Sequence, residues 1–559
     1  MLAVLRRSEV QLHKAINASP QSVNDPNNVG QTALHFSLEW SIGIRVLLDA
    51  KAELNRADNL GYTPIMRACQ LSLLDAVQLL GNAGSALHVG CRAALDVAMD
   101  NEFSCRTSNC GTEETKIAEK IVDYIIELEA DRRRRLSELA LTSLPRNAMK
   151  DLESFGDGLL DEHAMSVIWM LKRHNIIVPD ALIPCWMPTT GYHSRYLTVR
   201  IANKLWMTGF KNIGGLFWDG KSWWQSSIQY ELDLNDTLEL VAWFQSKEED
   251  LHGIAAYEGF GRDRSTTSNL HIIAYRLGTN LRKMEEQSIR EQELHLDFFA
   301  ASAEDVCAIT QRFTYETYNL SDVAKRMLTN ILMDSEKDSC LCACSTGGCS
   351  TVVLTLKPHT REDIYSPGPL KPFWYLCMTT AFIEFVELLE PKFSDLSSDI
   401  VRFLTFSVLD LSHTCCRCER YYIGIIKFDD EDDIQRIHDE EKEMIEKFEG
   451  LLVEFENKKS ELGISTSEFL LGYWRERMRE VLNEPGVFNK EEVEALGVRV
   501  YETDNVKEDE TDNVKEFEAD SENQNEAHAE EDIEVETRNE DDTKSSGSDD
   551  NDSVYVDAE

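Results

Sequence analysis

Basic residues are scarce in this 559-residue chain: 57 lysines and arginines face 100 aspartates and glutamates, for a net charge of −43. Such a polyanion repels a phosphate backbone, which argues against nucleic-acid binding unless basic residues are concentrated locally. Long apolar runs are also missing. The longest, residues 373–389, is interrupted by Glu384 and Glu387 and is too short and too polar to span a bilayer. The opening segment MLAVLRRSEVQLHKAI has no extended apolar core and no cleavage site, so no secretory signal is expected. These absences predict an intracellular protein, cytoplasmic or nuclear, with no membrane and no nucleic acid among its partners. Its 14 cysteines should then be free thiols or metal ligands rather than disulfides. Familiar catalytic signatures are lacking too. There is no phosphate-cradling GxxxxGK[ST], no GxSxG and no HExxH, and Gly259 and Gly261 stand alone rather than in a dinucleotide fingerprint.

What is present is a repeat. Residues 30–68 open with Gly30, Thr32, Ala33, Leu34 and His35 and return to Gly61, Thr63, Pro64 and Ile65. Between the two openings lie Val46, Leu47 and Leu48, then Ala52, Leu54, Asn55 and Asp58. Thr63 is placed to cap a helix whose first turn carries Pro64, since a hydroxyl can accept an orphan amide hydrogen and proline loses nothing there. Thr32 is expected to act likewise. Gly30 and Gly61 suit the tight turn ahead of each cap, where positive φ is needed. Ala68 and its counterpart Ser37 are small enough for two helices to approach closely. Leu47, Leu48, Leu79 and Leu80 supply an apolar face that one unit cannot bury alone. Lys51 stands where a left-handed glycine is expected after the second helix, at a cost of about 1 kcal/mol.

These residues at this spacing resemble the ankyrin repeat. The resemblance implies stacked helix pairs and a concave face, built from first helices and turn tips, that binds a protein partner. On that face fall Phe36, Glu39, Trp40, Arg67 and Gln70, with Asn59, Leu60 and Tyr62 at a tip. Trp40 and Tyr62 are the expected anchors, because aromatic residues dominate interface energetics; the competing reading is that Trp40 covers the adjacent repeat. Leu12, His13 and Ala15 repeat the spacing of Leu34, His35 and Ser37 and suggest a shortened first unit, while Cys91 to Ala98, with Leu95 in the buried slot, and a helix over 117–128 suggest a fourth. His35 and His271 occupy the slot where the imidazole bonds the neighbouring turn, which makes them structural.

The length exceeds what one compact core needs and suits several units or an elongated solenoid. We divide it as follows. N-terminal repeats (1–130) are followed by a helical spacer (131–190), with an apolar stripe of Leu159, Leu160, Met165, Ile168, Trp169 and Leu171 broken by Pro179 and Pro184. The basic run Arg132 to Arg135 reads as a solvated helix start in preference to a nuclear-localisation patch. Degenerate ankyrin-like repeats (191–285) carry a helix through Leu205, Gly209 in the glycine slot, Gly220 and Ser222 in the next turn, and a further start at Ser268, Leu270 and His271 with its alanine displaced to Ala274.

A helical cysteine-rich region (286–430) follows. Cys340, Cys342, Cys344 and Cys349 lie in SCLCACSTGGCS, and Cys415, Cys416 and Cys418 follow His413 in SHTCCRC. Both blocks have the spacing of zinc half-sites: alternate residues of an extended segment share a face, and Cys415 and Cys418 form a chelating CxxC. Four ligands for a structural zinc could be assembled from Cys340, Cys342, Cys344, Cys349, His413, Cys415 and Cys418. Against this, residues 348–353 also read as the start of another ankyrin-like unit, whose cysteines would be small buried apolar residues. A thioredoxin-type redox pair lacks its strand–helix context. A nucleophile at Cys415 or Cys416 beside His413 is disfavoured, because adjacency in sequence is not the spatial pairing a thiolate needs. The two blocks are similar to a region found at the end of uncharacterised ankyrin-repeat proteins of filamentous fungi, and residues 381–389 and 399–409 read as two buried helices beside the second block.

A C-terminal helical hairpin (431–500) comprises a long charged helix over 433–462, a turn at Gly463 and Ser465, and a second helix over 468–482. It reads as the cap of the stack rather than a dimerising coiled coil, since its heptads are few and Gly450 interrupts them. From 502 to 559 the chain holds 24 acidic and 4 basic side chains and repeats TDNVKE from Thr503 and Thr511. This is a disordered acidic tail (501–559) with too little apolar area to order itself, and it reads as a solvating extension. The sequence therefore predicts an all-α, interrupted ankyrin-repeat solenoid with a helical-hairpin cap, non-catalytic and acting as a scaffold or adaptor for a protein partner. No cofactor is expected beyond the candidate zinc. The rival expectations are a zinc-stabilised regulatory adaptor and an enzyme whose catalytic part lies in 286–482.

Overall fold

Helix pairs in this chain start where the sequence offers an extended residue followed by small and apolar ones, and they end where the backbone turns left-handed. In the computed structural model the described residues are 1–90, 92–108, 111–148, 161–183, 191–213, 234–247, 250–253, 268–292, 320–338, 342–360, 373–414 and 431–483. Cys91, Leu159, Leu160, Pro184, Gly220, Ser222, Gly259, Gly261, Cys340, Cys415, Cys416, Cys418 and the acidic stretch 501–559 lie outside them.

Four pairs open the stack: α1 (Leu2–Leu5) with α2 (Glu9–Ala18), α3 (Ala33–Phe36) with α4 (Ser41–Asp49), α5 (Pro64–Gln70) with α6 (Leu74–Asn82), and α7 (Ala94–Thr107) with α8 (Thr112–Ser143). First helices pack on first helices and second on second, so that α3 lies against α1 and α5, and α4 against α2 and α6. Leu34, Leu47, Ile65, Leu80 and Leu95 are buried between the layers, and Ser37 and Ala68 are fully covered, as their size requires. Gly30 and Gly61 take φ of +80° and +83°, and Lys51 takes φ of +63° in the slot that favours glycine.

Neighbouring pairs are also tied through the backbone. Asn24 Oδ1 accepts the amide of Glu53 (2.8 Å), and one repeat later Asn55 Oδ1 accepts that of Ala86 (2.7 Å). Asn59 N donates to Val29 O (3.0 Å) from tip to tip. A short antiparallel pairing, β1 (His88–Val89) with β2 (Arg92–Ala93), forms the tip before α7.

Several expectations are corrected. Leu12, His13 and Ala15 lie on α2, the second helix of the first pair, and so do not correspond to Leu34, His35 and Ser37 at the first helix of the next; the first helix of the opening unit, α1, starts at Leu2. Thr63 has the extended backbone of a cap, yet its buried hydroxyl makes no capping hydrogen bond. In the preceding repeat the amide and hydroxyl of Thr32 both face His35 Nδ1 at 3.1 Å, whereas the counterpart of His35 after Thr63 is Met66, which offers no ring nitrogen. Arg132 and Arg133 are not at a solvated helix start. They are buried within the 32-residue α8, where Arg132 Nη2 donates to Gly81 O (3.2 Å) and Arg133 Nη2 to Glu129 Oε1 (3.0 Å). Trp169 leaves the apolar stripe and is exposed, with the Arg173 guanidinium over its ring.

The long α8 passes residue 130 without a break and carries α9 (Asp161–Arg173) on its far half, through Leu136 and Ala140 against Ile168 and Leu171. Next come α10 (Val199–Thr208), ended by Gly209 at φ +123°, α11 (Leu234–Gln245), α12 (Asn269–Gln292), α13 (Asp322–Leu332), α14 (Thr351–Leu356), α15 (Phe373–Leu389) and α16 (Ser397–Val408). Packing continues along the chain, with α10 on α8 and α11 on α10, and the alternation resumes as α13 packs on α11, α14 on α12, α15 on α13 and α16 on α14. Ser268 Oγ lies 2.5 Å from His271 Nδ1, the same polar knot as Thr32 with His35.

At the far end the single helix expected over 433–462 is two, α17 (Glu431–Glu440) and α18 (Lys442–Leu462), parted at Glu441, whose carboxylate accepts the amide of Ser412. Gly463 in the left-handed region and a capping box of Ser465 with Glu468 make the turn into α19 (Thr466–Phe469), a π-turn over Leu470–Trp474 and α20 (Arg475–Asn483). The hairpin packs on α15 and α16.

A partly buried ion cluster fastens α10 to the fourth pair. Arg200 on α10 pairs with Glu102 on α7 and donates Nη1 to Asp123 Oδ1 on α8 (2.7 Å). Burial pushes the Glu102 carboxyl up and the Arg200 charge opposes that rise. Arg200→Ala strands a buried carboxylate and is expected to lower unfolding free energy by roughly 2–3 kcal/mol in urea titration. Lys51→Gly removes a left-handed side chain and is expected to raise it by about 0.5–1 kcal/mol in the same measurement.

Candidate functional site

The tip between α4 and α5 is organised by one carboxylate. Asp58 is buried; its Oδ1 accepts the amides of Leu60 (3.0 Å) and Tyr62 (2.9 Å), which folds the tip, and its Oδ2 accepts Nε (2.9 Å) and Nη2 (2.7 Å) of Arg67. Burial disfavours the Asp58 charge, but the Tyr62 amide and the Arg67 guanidinium outweigh it and hold the carboxyl below its ordinary value. Arg67, so anchored, lies 4.2 Å from the centre of the Tyr62 ring and donates Nη1 to Gln70 Oε1 (2.7 Å). From the next tip, the Arg92 guanidinium lies 4.4 Å from the same ring and donates to the Tyr62 hydroxyl (3.0 Å). His35 Nε2 meets the Tyr62 carbonyl at 3.1 Å, and burial pushes the His35 pKa down, so the ring serves there as a neutral group.

The expected partner-binding residues therefore divide. Asn59, Leu60, Tyr62, Arg67 and Gln70 come together around this tip, with Leu60 66% exposed. Part of Asn59 is spent on structure, its Nδ2 donating to Asn28 O (3.1 Å). Glu39 pairs with Arg7. Phe36 and Trp40 are half-buried against the core, and the Trp40 ring fills the notch above Gly43, where a Cβ would come within 2.2 Å of it. Sequence reasoning missed Arg92 and the organising part of Asp58. The signal for Arg92 was its position one residue before the cap that opens the fourth pair, the slot that Gln31 and Tyr62 hold in the two preceding units.

The second grouping is the cysteine cluster. Cys342, Cys344 and Cys349 are buried, and Cys342, Cys344 and His413 hold their ligating atoms within 4.8 Å of one another. Cys342 Sγ is 3.9 Å from His413 Nδ1, and Cys344 Sγ is 3.9 Å from Cys349 Sγ. Residues 343–348 form successive turns rather than the extended segment expected from alternate cysteines, so the thiols meet by chain reversal. The reversal is held by Ser345 Oγ on Gly348 O (2.6 Å) and by Cys349 N on Asp338 Oδ1 (2.6 Å), with Gly348 at φ +106° and its α-carbon against Asp338 O, where no side chain fits. Helix α14 starts two residues later, after Ser350, as the reading of 348–353 as a repeat start expects.

Residues 1–89 match the family model Ankyrin repeats (3 copies), and the chain accordingly opens with three ankyrin repeats. No curated protein matches the sequence. Among the described residues, no helix is long and apolar enough to cross a membrane.

Asp58→Asn tests the organisation of the tip. It is expected to cost about 2 kcal/mol at neutral pH, since Arg67 loses its charged partner. Because the Asp58 pKa is lowered by folding, its contribution is present above the ordinary value of 3.8 and is lost as pH falls through the folded value. The stability gap between variant and wild type should thus narrow below pH 3.8 in acid titrations followed by circular dichroism.

Proposed function

We propose that the chain is a non-catalytic interaction protein, a scaffold or adaptor that grips a segment of a protein partner across the tips and first helices of its opening repeats. Ankyrin repeats support the protein-binding part of this reading. The observation that carries the finer part is the Tyr62 ring held by two guanidinium groups beside the exposed Leu60. Cation–π contact fixes the aromatic ring at little entropic cost, and fixed aromatic and arginine side chains are the ones that dominate interface energies. A cationic spot on a chain of net charge −43 also selects among partners. It favours a segment in which an acidic side chain, for Arg92, neighbours a bulky apolar one, for Leu60 and Tyr62. Gln70 extends this surface. Phe36 and Trp40 take part through the packing that sets the helices, and Glu39 as a rim charge.

Peptides selected from a random library on the full chain provide the test. The selected sequences should combine acidic and bulky apolar residues, and calorimetry should show Leu60→Asp and Tyr62→Ala weakening them at least about tenfold, or roughly 1.4 kcal/mol. Arg45→Ala, an exposed position on the second helix α4, should leave affinity unchanged. Equal binding by all three variants would show that the partner sits elsewhere.

A further inference from the structure

We infer that Cys342, Cys344, Cys349 and His413 form a structural zinc site that ties the turn before α14 to the segment after α16. This stands independently of partner binding at the first tips. With metal–sulfur bonds of about 2.3 Å, neighbouring thiolates in a tetrahedral zinc site stand about 3.8 Å apart, and a thiolate and an imidazole nitrogen slightly closer. The observed separations are 3.9 Å from Cys342 Sγ to His413 Nδ1 and 3.9 Å from Cys344 Sγ to Cys349 Sγ. Both separations are those of ligands that share an ion. Cys342, Cys344 and His413 converge mutually, whereas Cys349 lies outside that group beside Cys344 and, as the fourth ligand, would have to turn its thiol toward the ion.

The surroundings are those of a ligand set. His413 turns Nδ1 to the thiols while Nε2 meets Ser407 Oγ at 3.4 Å, and its ring lies against Phe403 and Phe406, which leaves its orientation settled. Lys357 is only 2% exposed and places Nζ 2.9 Å from Cys349 Sγ. A fully protein-ligated site of this kind has no open coordination position, so its effect is on folding rather than chemistry. His413 lies 71 residues from Cys342, and the ion closes that loop across α14, α15 and α16.

The test uses the full chain purified without chelator. Elemental analysis should find close to one zinc per chain, and Cys342→Ser, Cys344→Ser, Cys349→Ser and His413→Asn should each lose most of it. Cys69→Ser and Cys105→Ser, at buried thiols elsewhere, should keep it. Should the ligand variants fail to fold, the wild-type chain decides: replacing zinc by cobalt should give the visible bands of tetrahedral thiolate coordination, and chelation should lower Tm. A chain without stoichiometric metal, iron in place of zinc, a Cys344–Cys349 disulfide, zinc retained when any one ligand is replaced, or cobalt lacking thiolate bands would each overturn the assignment.

Discussion

A single helix pair of this chain cannot cover its own apolar side. Leu47 and Leu80 are buried only because the next pair stands against them, and every other feature follows from that dependence. It packs first helices on first and second on second through the four opening pairs, and the alternation returns from α11 to α16, where the repeat pattern in the sequence has faded. Burial needs only apolar residues on the right side of each helix. Tip motifs need particular side chains, and those are what the later pairs have lost.

Polar ties set the register that apolar packing leaves loose. Asn24 and Asn55 make the same backbone bond one repeat apart, and His35 reaches the next tip at Tyr62. Where these marks end, charged groups replace them: Arg132 on Gly81, Glu129 between His88 and Arg133, and Arg200 between α7 and α8. Such buried charges are costly singly and stable only as sets, so each one fixes a specific neighbour. The binding surface is a by-product of the same economy. Asp58 folds the tip, and in satisfying its second oxygen it aims Arg67 at Tyr62. A zinc ion on Cys342, Cys344, Cys349 and His413 would do for the distal pairs what His35 and Asp58 do for the first ones, joining a tip to its neighbour through a fixed polar contact.

Much of the first half was legible because ankyrin tips are local. Gly30, Gly61 and the misfit Lys51 take left-handed backbone as their places in the pattern require, and Ser37 and Ala68 vanish between helices. Ser268 with His271 repeats the knot of Thr32 with His35, and is readable for the same reason: its partners are three residues apart. Misreadings came where the deciding partner is distant. The run from Arg132 looks solvated until Gly81 and Glu129 are seen to receive it, and Trp169 looks apolar until its side of α9 proves to face water.

By itself the sequence determined the helix pairs, their turns and the opening ankyrin array, because each rests on backbone preferences and on spacings shorter than one repeat. Only the tertiary structure decided which cations meet Tyr62, which arginines are buried and which thiols converge with His413. Those outcomes depend on distances between segments far apart in the chain, and stacking sets them.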